Sequence, residues 1–186
     1  HWLDVAVFEA ELAAAEHTMS GNGDVPADHL QAAVDLYQGD FLEGVYVDSH
    51  AFRDWSLLER ERLRFRVTGA LHLLIEHYMG AGSFDAAQQH IFHLLRLDPL
   101  RESAHRQAIR LYMHLGQREN AVRQYQTCAR LLDEELGIAP TAETTELYQQ
   151  IRDGTGVTQA IRHGVPALLR SNLPIPSSAF IGREAQ

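Results

Sequence analysis

Between Leu71 and Leu132 apolar residues recur at steps of three and four, the spacing of one helix face, and glycine interrupts them twice. Leu71, Leu74, Ile75 and Tyr78 form one stripe, and Gly80-Ala81-Gly82 breaks it. Ala87, Ile91, Leu94 and Leu95 form the next, which stops near Asp98-Pro99 because proline cannot extend a helix and displaces the residue before it. Ala108, Ile109 and Tyr112 then precede a turn at Leu115-Gly116-Gln117, and Ala121, Tyr125, Cys128 and Leu132 follow it. Towards the amino terminus, Asp4 is placed to cap a helix striped by Val5, Phe8, Leu12 and Ala15. Gly21-Asn22-Gly23 ends it. A second helix opens at Pro26-Ala27-Asp28, carries Leu30, Ala33, Val34 and Tyr37, and is expected to end at Gly39. Residues 39–44 read as a loop with Phe41 and Leu42 as buried pegs. From Ala51 to Met79 the pattern predicts one long helix anchored by Trp55, Leu58, Leu63 and Leu73, with charge on its other side. There Glu59–Arg62 and Glu61–Arg64 are spaced to pair, each contributing about 0.3 kcal/mol. Gly137 stands as the residue after a helix end. Thr141 caps a last helix with Glu143 and Glu146 early, where the dipole favours them, and Leu147 and Ile151 as packing residues.

The central stretch nearly repeats itself after 34 residues: Ile75, Tyr78, Gly82, Ala87, Ile91 and Leu97 are answered by Ile109, Tyr112, Gly116, Ala121, Tyr125 and Leu131. That period, with Tyr, Gly and Ala in step, resembles the tetratricopeptide unit, a helix–turn–helix that stacks on its neighbours. His105 and Leu71 stand where that pattern prefers Trp, and Ile75 and Ile109 where it prefers Gly. The small Ala87 and Ala121 let helix backbones approach, while larger residues fill the facing grooves. The expected fold is all-α: a tetratricopeptide-like superhelix of helical hairpins, non-repeating capping helices, and an extended carboxy-terminal tail.

Composition narrows the chemistry. All sixteen basic residues are arginine. No lysine-dependent phosphate loop, Schiff base or general base therefore exists in this sequence. Residues 1–52 hold ten carboxylates and no arginine, which argues against this region gripping a phosphate backbone. No apolar run reaches membrane-spanning length and the start does not resemble a signal peptide, so a cytoplasmic protein is expected. The lone Cys128 lies on an apolar helix face and reads as a packed, inert thiol, not a redox centre.

Catalytic candidates fail on geometry. Glu59 with Glu61, and Glu134 with Glu135, point apart on a helix and make solvated faces, not an acid–base pair. His90 and His93 share a helix face, but a metal site needs three or four ligands, and none stands at ligand spacing nearby. No strand–turn–helix elbow presents a serine. The expectation is no enzyme, no metal and no cofactor. Repeat proteins instead bind along the face lined by the first helix of each unit. That rule nominates His72, Glu76 and Met79 from one unit and Arg106, Arg110 and Met113 from the next. The two arginines, one turn apart, can clamp a carboxylate or phosphate on a partner peptide, and the methionines offer an adaptable apolar floor. The alternative is that Arg106 and Arg110 stand solvated or pair with Glu76 or Glu102.

Five ordered blocks carry a wider resemblance. They are Trp2-Leu3-Asp4 with Phe8; Leu36 through Leu42; Trp55 with Leu58 through Leu63; Leu97 through Glu102; and Leu131 through Pro140 with Glu143, Thr144 and Leu147. In that order they resemble the bacterial transcriptional activator domain of antibiotic-regulatory, SARP-type regulators, over about Asp4 to Arg152. The resemblance implies transcription control, with a winged-helix DNA-binding domain ahead of this one and no direct nucleic-acid binding here. Asn172-Leu173-Pro174 through Glu184 resembles the lead-in to a STAND or AAA-type ATPase module. Residues 1–153 are accordingly expected to be the activator domain and 154–186 a linker cut from a longer polypeptide, with a short helix at most around Val157 to His163 and an extended Leu173 to Ser178. Expected partners are the flanking domains, a protein seated in the groove, or a second copy in a homodimer. The competing reading is a helical scaffold or small-molecule-sensing domain of a signalling ATPase that does not act at promoters.

Overall fold

The computed structural model of the protein describes residues 2–22 and 25–154, so the expectations placed on the linker lie outside the described residues. Seven helices and no strand occur among them: α1 (Trp2–Asn22), α2 (Ala27–Leu36), α3 (His50–Gly80), α4 (Phe84–Leu97), α5 (Glu102–His114), α6 (Arg118–Leu136) and α7 (Ala142–Asp153). Each packs on the next in chain order, and α5 also meets α7. This is the all-α, tetratricopeptide-like arrangement that the 34-residue period predicts.

The period reappears as backbone geometry. Gly82 and Gly116, 34 residues apart, both adopt φ +70. After Gly82, Ser83 N–H donates to Tyr78 O at 2.9 Å; after Gly116, Gln117 N–H donates to Tyr112 O at 2.8 Å. Both are helix ends closed by a left-handed residue, which only glycine adopts without a steric cost. Ala87 and Ala121, also 34 apart, are fully buried where the helices cross.

Two apolar cores result. The larger joins Phe8 and Leu12 of α1, Leu30 and Val34 of α2, Leu63, Val67, Leu71 and Leu74 of α3, Ile91 and Leu94 of α4, and Ala104 and Leu111 of α5. The smaller joins Ile109 and Ala121 to Leu147 and Ile151, and so seats α7 against the second repeat. Tyr125 and Tyr148 stack beside it with centroids 4.1 Å apart.

Charge fastens the first helix to the third. Arg62 and Arg66 of α3 reach Glu9 of α1 at 2.7 and 3.4 Å, and Arg66 also reaches Glu16. The arginine-free acidic stretch is thus partly neutralised by the helix that follows it. The loop after α2 is held the same way. Arg60 Nε and Nη2 donate to Phe41 O and Leu42 O at 2.6 and 2.8 Å. Arg64 Nη2 donates to both oxygens of Asp40, and Tyr37 O–H donates to Asp40 Oδ1. Burial, with the nearby Asp40 charge, pushes the Tyr37 phenol up to about 12. Leu42 takes φ +54, a left-handed conformation that costs a leucine free energy and is tolerated because Arg60 claims its carbonyl.

Several local expectations change. Asp4 lies inside α1 and is not its cap, since the helix already begins at Trp2. The second helix ends at Leu36, before Gly39, because Tyr37 turns inward to the core and bonds Asp40. Trp55 and Leu58 are not buried anchors: they are 43 % and 72 % exposed, while the core face of α3 runs through Ser56, Leu63 and Val67. Periodicity places a residue relative to its own helix but does not say which side its neighbours cover, and here they cover the side of Ser56, Leu63 and Val67. Leu63 is buried, Leu73 packs partly buried on the larger core, and Phe41 and Leu42 pack as expected.

Candidate functional site

The odd-numbered helices stand side by side. Gln107 of α5 lies 2.9 Å from His72 of α3 (Nε2 to Nδ1), and Arg106 and Arg110 of α5 reach across to α7. The face built by α3, α5 and α7 is where the repeat rule places a binding groove.

Each nominated residue has a definite place in it. Arg106 Nη2 is 3.0 Å from Glu143 Oε2, and Arg110 Nη2 is 3.1 Å from Glu143 Oε1. Both arginines hold a carboxylate of the chain itself, one oxygen each, in the first turn of α7. Arg106 also donates to Thr144 Oγ1 at 3.1 Å and stands 3.9 Å from Glu102. Thr141 heads α7 but caps no backbone N–H there; its hydroxyl donates to Glu102 Oε1 of α5 at 2.6 Å and lies 3.4 Å from the Thr144 hydroxyl. Thr141 N–H donates to the same oxygen at 2.7 Å. Burial opposes ionisation of Glu102, yet the Thr141 and Thr144 hydroxyls, the Thr141 N–H and Arg106 together hold its carboxyl below the ordinary value.

On α3, His72 Nε2 lies 3.3 Å from Glu76 Oε1, one turn away. If that nitrogen carries the proton, Nδ1 is free to accept from Gln107, and both contacts hold for a neutral imidazole. Gln107 Oε1 is then buried with no bonding partner among the described residues. Met79 and Met113 do not form a free apolar floor. Met79 packs partly buried against the larger core and Met113 against the smaller one.

The exposed apolar groups on the same α3 face lie further towards its start, at Leu58 and Phe65, 72 % and 76 % exposed. Position 65 is seven residues before His72, and 58 seven before that, so the spacing could have revealed them. They were masked because a leucine on a helix reads as core by default. The Gln107–His72 contact and the docking of Glu143 had no local signature, since each joins residues more than thirty apart.

Cys128, His105 and His90 face inward. Burial pushes the Cys128 thiol up to about 11, with the Glu102 charge adding to it, so it stays a neutral thiol. His105, almost fully buried, lies 2.9 Å from Pro99 O through Nε2 and 2.7 Å from Gln124 through Nδ1. His90 stacks on Tyr78 with ring centroids 5.4 Å apart. Among the described residues no group of three His, Cys, Asp or Glu is arranged to hold a metal ion, and no helix is long and apolar enough to cross a membrane.

Residues 3–152 match the bacterial transcriptional activator domain, and the chain belongs to that family. No curated protein matches the sequence significantly.

Proposed function

We propose that this domain is a non-catalytic interaction and regulatory segment of a cytoplasmic transcription activator of the antibiotic-regulatory type. In this reading a DNA-binding domain and an ATPase-type module are carried elsewhere in the same polypeptide, with residues 154–186 as the connection to the latter. The domain couples them by helix packing and by recognition on the α3–α5–α7 face, and it leaves nucleic acid to the DNA-binding domain.

The observation that carries this reading is the Arg106–Glu143–Arg110 clamp. It is a paired-arginine grip on a carboxylate, built on the face that repeat proteins use for binding. Arg110 and Glu143 are both about half exposed, so a carboxylate from a neighbouring domain or partner can compete with Glu143 for the outer arginine. The acidic balance of the chain supports the absence of a nucleic-acid grip, as does the commitment of Arg62, Arg64, Arg66 and Arg106 to carboxylates.

The test uses the full-length regulator with Arg106→Ala and Arg110→Ala together, and a promoter reporter beside a DNA-binding assay. Loss of activation and of partner or interdomain association, with DNA binding retained, is expected. Unchanged activation and association in a folded double variant would remove the groove from the mechanism.

A further inference from the structure

Ala51, Trp55, Leu58, Arg62, Phe65 and Gly69 follow one another along α3 at alternating steps of four and three. That spacing keeps a seam in line between two paired helices. The seam lies opposite the face that fills the core through Leu63, Val67, Ala70 and Leu74. Leu58 and Phe65 stand mostly exposed on it, and large apolar groups gathered in this way mark an interaction surface. The Trp55 indole packs against Phe41 and Phe52, with ring centroids 5.7 and 5.6 Å away, and stays 43 % exposed. At the far end nothing lies within 4 Å of where a Gly69 Cβ would stand, which leaves a notch in the helix surface.

We propose that this seam is a self-association surface and that its occupant is the same seam of a second copy, running antiparallel. The seam is its own complement in that direction alone. Parallel pairing would set Arg62 against Arg62. Antiparallel pairing about a two-fold axis beside Arg60 sets Trp55 against Phe65, Leu58 against the aliphatic stem of Arg62, and the small Ala51 against the Gly69 notch. The charges agree. Within one chain Arg62 holds Glu59 at 2.6 and 3.0 Å and Glu9 of α1 at 2.7 Å. Across the axis each Arg62 faces Glu59 of the second copy, which makes a ring of alternating charge. A two-fold interface of this isologous kind is the commonest way for a chain to meet itself. Residues 51–69 span about 27 Å of helix, a single-helix seam smaller than a standard interface, so a dimer that forms at micromolar concentration is expected. The seam shares its face of α3 with His72 and Glu76, which follow it, but makes no use of the Arg106–Glu143–Arg110 clamp.

Sedimentation velocity of the full chain from roughly 1 μM to several hundred μM tests it. The wild type should pass from monomer to dimer. Phe65→Glu and, separately, Leu58→Lys should each weaken the dimer by roughly tenfold or more, with thermal midpoint and helical content unchanged, since both side chains are solvent-exposed. Chains carrying Ala51→Cys mixed with chains carrying Gly69→Cys should form the mixed disulfide under mild oxidation, with native Cys128 buried and silent. A wild type that stays monomeric throughout overturns the proposal. So does a dimer indifferent to both substitutions, or Ala51→Cys chains that link only to themselves.

Discussion

Arg110 Nη2 stands 3.1 Å from Glu143 Oε1, a contact that joins residues 33 apart and closes the second repeat with the last helix. The same carboxylate holds Arg106 through its other oxygen, but the two arginines are unequal. The Arg106 side chain is 16 % exposed and also bonds Thr144, whereas Arg110 is half in water.

Truncating them should therefore separate cleanly. Arg106→Ala removes charge-assisted bonds in a partly dry site and is expected to cost about 1–3 kcal/mol of stability. Arg110→Ala should cost less than about 1 kcal/mol, because an exposed pair is screened by water. The Arg110 effect should shrink further when salt shortens the Debye length, and the Arg106 effect should largely persist. Urea unfolding of both variants at low and high salt measures the difference. Equal costs would mean that the clamp is shared evenly.

Acid should weaken the fold in two stages. His90, His93 and His105 all have pKa values lowered from the ordinary 6.5, in each case chiefly by burial. The His93 charge adds to this at His90 and the Arg96 charge at His93, while Asp35 opposes both; Pro99 O, Glu102 and Asp98 oppose it at His105. Each binds its proton more readily unfolded, so the stability it contributes is whole above 6.5 and is lost as pH falls through the folded value. Asp40, Glu59 and Glu102 are lowered from 3.8, 4.5 and 4.5, so their contribution fades only at lower pH. Unfolding midpoints should fall between pH 7.5 and 5 and again below about 4.5. His105→Gln keeps one donor and one acceptor, cannot titrate, and should flatten the first stage. A midpoint constant from pH 7.5 to 5 would refute the assignment.

Three glycines should respond with opposite signs. Gly82 and Gly116 hold φ +70 with open space around a would-be Cβ, so alanine there should cost about 1–2 kcal/mol from backbone strain alone. Gly69 lies inside α3, also with open space, and has no such constraint. Gly69→Ala should stabilise by about 0.5–1 kcal/mol, because alanine is the better helix former. Thermal melts of the three single variants decide it, and a destabilised Gly69→Ala would indicate an unrecognised close contact.

Much of the fold could be read before any coordinates. The turns at Gly82 and Gly116, the helix end at Gly137, and the buried faces of Leu71, Leu74, Ile91 and Ala121 follow from local rules of helix period and chain reversal. The helix starts were less legible. Asp4 and Thr141 both look like side-chain caps, yet one sits inside a helix and the other spends its hydroxyl on Glu102. A polar side chain at a helix start has several possible partners, and the nearest in sequence does not always win. The site residues divided along the same line. His72 and Glu76 do share a turn, but the engagement of Arg106 and Arg110 by the chain's own Glu143 and the packing of Met79 and Met113 against the cores were not visible in the spacing.

The sequence by itself determined the helices, the 34-residue step between them and the family, because hydrophobic period, glycine turns and residue blocks act over short stretches of chain. Only the tertiary structure decided which face of each helix stayed free. Leu58 and Phe65 remain in solvent because the core packs on the other side of α3, through Ser56, Leu63 and Val67, and Arg106 is engaged because α7 folds back across α5. Those outcomes depend on which side of each helix its neighbours pack and on long-range docking, which no window of one helix contains.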